Sequence, residues 1–123
     1  MKKNIKNKEI SVCITTYFDK NFEKIGNICL KTINAYAERH GFDVKLYNNI
    51  KSNRPPAWNK ILLIQKLFQD KRKYDFIFWI DSDALILNFD EDIRDEIEFM
   101  KDLYLVKHFI KDREVPNTGS FLI

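Results

Sequence analysis

Seven residues, Tyr74 to Ile80 (YDFIFWI), leave a folding chain little choice. A run this short, rich in Ile and Phe and apolar on both faces reads as a strand that must be covered on both sides. The place for such a strand is the middle of a sheet with helices packed above and below. Immediately after it come two carboxylates, Asp81 and Asp83, separated only by Ser82. Charges at the tip of a buried strand call for something to neutralise them.

The rest of the chain supplies the partners of that strand. Glu9 to Thr16 (EISVCITT) is β-branched and nearly continuous in apolar character, as expected of another buried strand. Phe22, Ile25, Cys29, Ile33 and Tyr36 then draw one stripe on a helix from about Asn21 to His40, which Gly41 terminates. Phe42 to Tyr47 alternates as a further strand. Pro55 and Pro56 open a second helix whose marked face is Trp58, Ile61, Leu62, Gln65 and Phe68, ending near the DKRK run that starts at Asp70. Past the acidic pair, a short helix is expected around Asp92 to Met100. Two strands then follow, Leu103–Phe109 and Thr118–Ile123, joined by a loop holding Pro116. Strand, helix, strand, helix, strand is the signature of a layered α/β domain with a largely parallel sheet.

Composition narrows the functional classes. A chain of 123 residues with 45% hydrophobic content is one globular domain's worth and too apolar to be disordered. Residues 9–123 form that expected domain, preceded by a flexible Lys-rich tail over 1–8. No apolar run approaches the ~20 residues of a membrane span, and none resembles a signal peptide, so a cytoplasmic protein is expected. Cys13 and Cys29 lie in apolar patterns and read as reduced core residues. Residues 1–60 hold 12 basic against 5 acidic residues and 61–123 hold 9 against 13, a basic half suited to an anionic ligand. Nucleic acid is not the expected partner, because only the tail favours it and no aromatic platform accompanies it. With 3 glycines there is no glycine-rich phosphate cradle, so a bound nucleotide would need a metal instead.

Asp81 and Asp83 are placed to hold that metal. Ligands of parallel α/β sheets gather at the carboxyl ends of strands, and residues i and i+2 of an extended segment face the same side. Paired hard oxygen donors suit Mn²⁺ or Mg²⁺. A simple turn built from Asp and Ser is the competing explanation of the triplet.

What surrounds the pair is distinctive. Trp58-Asn59-Lys60 on the second helix, Trp79-Ile80-Asp81-Ser82-Asp83-Ala84 at the strand end and Asn117-Thr118-Gly119-Ser120-Phe121-Leu122-Ile123 resemble, in order and spacing, the fungal α-1,2-galactosyltransferases and plant xyloglucan α-1,6-xylosyltransferases. The resemblance implies a Rossmann-like GT-A fold and the nucleotide-binding, donor half of a retaining glycosyltransferase. It implies a UDP-sugar donor, a glycan acceptor and Mn²⁺ or Mg²⁺ at the acidic triplet. Carried over, Asp83 is the direct metal ligand, and Asp81 meets the ribose and the metal's shell. Thr15, Thr16, Tyr17 and Ser82 belong to the nucleotide pocket. Lys60 and Asn117 join Asp81 and Asp83 as candidate catalytic residues: Lys60 pairs with a carboxylate or a phosphate or is a solvated surface lysine, and Asn117 contacts the sugar or simply shapes a turn. The family's sequence continues past the position of Ile123 with an acceptor half and a metal-binding histidine, so an incomplete GT-A domain is expected here.

Other side chains are assigned blander roles. Trp58 and Trp79 are expected as core anchors, and His40 and His108 as surface residues. A nucleotide-sugar-binding or interaction module without catalysis is the alternative on the same fold. A haloacid-dehalogenase-like phosphatase is disfavoured because Ala84-Leu85 follows the triplet where that class has Gly-Thr or a close equivalent. An unfinished sheet edge makes a homo-oligomer an additional expectation.

Overall fold

The computed structural model describes residues 9–70, 74–98 and 100–123; the expected tail over 1–8 lies outside them. Five strands form one sheet: β1 (Val12–Tyr17), β2 (Asp43–Tyr47), β3 (Phe76–Ile80), β4 (Tyr104–Ile110) and β5 (Arg113–Leu122). Their order is β2-β1-β3-β5-β4, with β3 in the middle as its two-faced apolar character requires. β1 pairs in parallel with β2 and β3, whereas β5 runs antiparallel to both β3 and β4. Four strands therefore point one way and β5 the other. The sheet is mixed by pairing and largely parallel by direction.

Two helices cover opposite faces. Helix α1 (Glu23–His40) packs Cys29, Ile33, Tyr36 and Ala37 onto Val12, Ile14, Ile80 and Leu122. Helix α2 (Asn59–Phe68), entered through a 3-10 turn at Pro56–Trp58, packs Leu63, Ile64 and Leu67 onto Cys13, Ile77 and Trp79. The connection from β1 to β2 thus crosses one face and that from β2 to β3 the other. A crevice opens where they diverge, at the carboxyl ends of β1 and β3.

Several expectations change in the details. On α1 the stripe is buried only from Cys29 onward; Phe22 and Ile25 are exposed, and Gly26 takes the buried place because the Phe18 ring lies against it. On α2 the marked face is the exposed one: Trp58, Ile61, Leu62 and Phe68 face outward, while Asn59, Leu63, Ile64 and Leu67 are buried. Trp58 is therefore not a core anchor; the Arg54 guanidinium sits 5.7 Å from its ring centroid. The Asp92–Met100 helix shrinks to a 3-10 turn at Ile93–Glu96, because Asp92 caps it and Ile97 is already extended.

β5 begins at Arg113, not Thr118, and Pro116 sits within it opposite Lys107. From Arg113 to Asn117, β5 pairs only with β4, and in this two-stranded ribbon a proline is tolerated. Lys111 and Asp112, both at positive φ, make its tight turn.

His40 is also not a surface residue. Its Nε2 lies 2.8 Å from the Phe89 carbonyl oxygen, and its ring stacks on Phe42 and contacts Tyr36. Asp92 and Arg94 complete this cluster. It ties the chain that follows the acidic triplet back to the end of α1, helped by Tyr36 Oη donating to the Glu91 carbonyl. His108 is exposed on β4, as expected.

Candidate functional site

The crevice at the switch between β1 and β3 holds a cleft of about 290 Å³. Its walls come from three places: Tyr17 at the end of β1 with Phe18, Asp19 and Phe22 following it; Pro56 and Ala57 in the 3-10 turn and Lys60 in the first turn of α2; Trp79, Asp81, Ser82 and Asp83 at and just past the end of β3. One wall is aromatic and one edge is acidic. Lys60 contributes the positive charge between them.

Asp81 is held from several sides. Its backbone N–H donates to the Gly119 carbonyl at 2.7 Å, continuing the β3–β5 ladder. Its Oδ1 accepts from the Trp79 indole Nε1 at 2.6 Å and lies 3.3 Å from Lys60 Nζ, which also donates to the Thr118 carbonyl at 2.9 Å. Its carbonyl oxygen closes the following turn by accepting from Ala84 N–H at 3.0 Å, and Cys29 Sγ donates to the same oxygen at 3.7 Å. Burial, and then the charges of Asp83 and Asp81, push the Cys29 thiol up to about 11, so it stays protonated as a donor. Cys13 is likewise buried, with a thiol pushed up to about 11 by burial and by Asp43, and both cysteines are free.

Asp83 stands in contrast. It is exposed on the cleft edge, and it makes no hydrogen bond or ion pair with the described residues. Two carboxylates two residues apart thus play different parts, one pinned and one available.

The segment after Pro116 shapes the floor beside Asp81. Between β4 and β5 the register jumps from Leu105 opposite Phe121 to Val106 opposite Asn117, leaving Thr118, Gly119 and Ser120 bulged from β4. The bulge aims the Thr118 and Gly119 carbonyls at Lys60 and Asp81. Asn117 Oδ1 accepts from Gly119 N–H at 2.8 Å, so Asn117 shapes this turn and does not line the cleft. A Cβ at Gly119 would stand 3.0 Å from Asn117 Oδ1 and 3.4 Å from Asp81 Oδ2, which is why the chain has glycine there.

Of the residues expected in the site, the fold brings Tyr17, Lys60, Asp81, Ser82 and Asp83 together. Thr15 and Thr16 do not join them: both are fully buried in the sheet, Thr15 Oγ1 donating to the Lys45 carbonyl at 2.9 Å. Phe18, Asp19, Phe22, Pro56 and Ala57 were not anticipated. Phe18 and Asp19 follow β1 directly, so the rule that ligands collect past strand ends could have flagged them. Trp79, expected only as an anchor, is 4% exposed and also borders the cleft.

The α/β fold itself matches those of solved glycosyltransferases. A glycosyltransferase involved in glycosylation of the major capsid of PBCV-1 superposes with a TM-score of 0.76 at 13% identity, over 92% of this chain and 59% of that one. The glycosyltransferase GlyE of Streptococcus pneumoniae TIGR4 superposes with a TM-score of 0.55 at 14% identity, over 93% and 34%. The family model described as galactosyl transferase GMA12/MNN10 matches residues 6–122, and the chain belongs to that family. An uncharacterised α-1,2-galactosyltransferase of Schizosaccharomyces pombe is 34% identical over 70% of this chain. A second α-1,2-galactosyltransferase of that yeast is 29% identical over 67%. The chain spans about a fifth of the length of these curated relatives, 21% and 20%. No helix among the described residues is long and apolar enough to cross a membrane.

Proposed function

We propose that this chain is the donor-binding part of a metal-dependent, retaining glycosyltransferase that takes a UDP-sugar and passes the sugar to a glycan acceptor. The observation that carries the reading is the unpartnered Asp83 carboxylate on the edge of a cleft with an aromatic wall, which the cationic Lys60 also lines. Two relatives are named α-1,2-galactosyltransferases, which makes UDP-galactose the first donor to test.

Each group has a part in this reading. The aromatic wall of Tyr17, Phe18 and Phe22 receives a flat base and excludes water from it. Lys60 stands where it can face a phosphate while keeping its hold on Thr118. Ser82, in the turn, offers a hydroxyl and a backbone N–H to the nucleotide.

The donor set fits a hard divalent cation. Asp83 and Asp81 Oδ2 would hold it, and the ion would supply charge neutralisation to a departing diphosphate. Among the described residues no group of three His, Cys, Asp or Glu side chains converges. A two-carboxylate site suits Mn²⁺ or Mg²⁺, which readily keeps positions for water and phosphate oxygens. The same observation favours a second reading, a nucleotide-sugar-binding module that does not turn over alone.

Titration calorimetry tests the proposal. UDP is expected to bind in Mn²⁺, to lose most of its affinity in chelator, and to lose it equally in Asp83→Ala. Binding indifferent to metal and substitution would overturn it. Release of galactose from UDP-galactose at saturating Mn²⁺ separates the enzyme from the binding module.

A further inference from the structure

We propose that Trp79 is a positioning residue of this site: its indole N–H holds Oδ1 of Asp81, so that the acidic pair offers Oδ2 and Asp83 to what the cleft binds. This inference rests on the cleft being a metal and nucleotide site, as read above. It goes further in giving Trp79 a role separate from its bulk.

The geometry is that of a clamp. Trp79 and Asp81 lie two residues apart at the end of β3 and so share a side of the strand. The ring is wedged in the core with Leu63, Leu67 and Ile77 and is 4% exposed, so it has no room to turn away. A buried indole N–H needs an acceptor, and this one has a carboxylate oxygen at 2.6 Å, a charge-assisted bond. Lys60 Nζ approaches the same oxygen at 3.3 Å while lying 5.6 Å from the Trp79 ring centroid. Two donors on Oδ1 fix the rotation of the carboxylate. Oδ2 is left without a hydrogen bond to the described residues, on the side where Gly119 leaves space.

A phenylalanine would fill most of the same core volume and lose the N–H together with part of the ring. If Trp79 served the core alone, that change would be felt in stability and nowhere else. If it orients Asp81, the loss reaches the ligand, because the partners that orient a metal-binding carboxylate carry roughly 10- to 100-fold in metal affinity.

Two measurements decide this. In ¹⁵N-labelled wild-type protein the Trp79 indole proton is expected downfield and slow to exchange, and it should move upfield and exchange faster in Asp81→Ala. The half-exposed Trp58 gives the internal control. An indole signal indifferent to Asp81→Ala overturns the clamp, and this arm needs neither ligand nor a folded Trp79 variant. In the second measurement, free Mn²⁺ is followed by electron paramagnetic resonance in the presence of UDP. Trp79→Phe is expected to weaken Mn²⁺ binding about tenfold or more, and to add nothing in an Asp81→Ala background, since its effect passes through Asp81. Wild-type affinity in Trp79→Phe, or full additivity of the two changes, overturns the proposal and leaves the site reading standing. Absence of Mn²⁺ and UDP binding in the wild type defeats the site reading, and the indole signal then judges the clamp alone.

Discussion

Lys60, on the first turn of α2, reaches Asp81 at the tip of β3, with Nζ 3.3 Å from Oδ1 and 2.9 Å from the Thr118 carbonyl. One side chain thereby joins helix, central strand and bulged β5 at the rim of the cleft. A lysine so placed neutralises part of the acidic pair while the cleft is free, and faces phosphate when it is filled.

Replacing Lys60 by Met separates those two roles. With Mn²⁺ saturating, UDP affinity is expected to fall about tenfold, in line with the ~1.5 kcal/mol of a hydrogen bond to a charged group. The melting temperature should shift little, because Trp79 still holds Asp81. Unchanged affinity by calorimetry would make Lys60 a structural tie only.

Gly26 on α1 has no room for a side chain. A Cβ there would stand 2.3 Å from the Phe18 ring, and Phe18 is both buried and part of the cleft wall. Gly26→Ala gains helix propensity but overpacks this contact. The expected net loss is about 1–3 kcal/mol in denaturant unfolding, with a weaker fit for UDP because Phe18 must move. An equal or raised stability would show that the ring yields freely.

The α1 stripe shows both the reach and the limit of the sequence. Periodicity located the helix and its Gly41 stop, where φ is +73° and the N–H caps Ala37. It could not know that Phe18 would fold back and claim the Gly26 face. On α2 the limit is different: Ile61 to Ile64 are four apolar residues in a row, so two stripes compete. The winning one is set by the sheet surface of Cys13, Ile77 and Trp79, which is tertiary information. The carboxyl end of β3 and the acidic tip after it could be read from sequence because burial and charge change abruptly there. The β4–β5 bulge, which aims two carbonyls at the site, leaves no trace in residue type beyond Gly119.

Asp92 carries the pH prediction. Burial pushes its carboxyl up, but hydrogen bonds and charge from Arg94, with His40 adding to them, outweigh this and hold it below the usual carboxylate range. A depressed folded-state value means that the contribution is present at neutral pH, above ~4, and is lost as pH falls through the folded value. Asp92→Ala removes the bidentate acceptor of buried Arg94 and is expected to cost on the order of 2–3 kcal/mol at pH 7. The gap from wild type should narrow on acidification. A gap that widens in acid would contradict the assignment.

The most direct test of the account is to locate a manganese ion. Crystals grown with Mn²⁺ and UDP, measured at the manganese absorption edge, are predicted to show one strong anomalous peak between the Asp83 carboxylate and Asp81 Oδ2. The diphosphate should lie against it, and Asp81 Oδ1 should still be bonded to Trp79. Nucleotide bound in the cleft with no anomalous signal at these two carboxylates, or a peak elsewhere on the molecule, would contradict it.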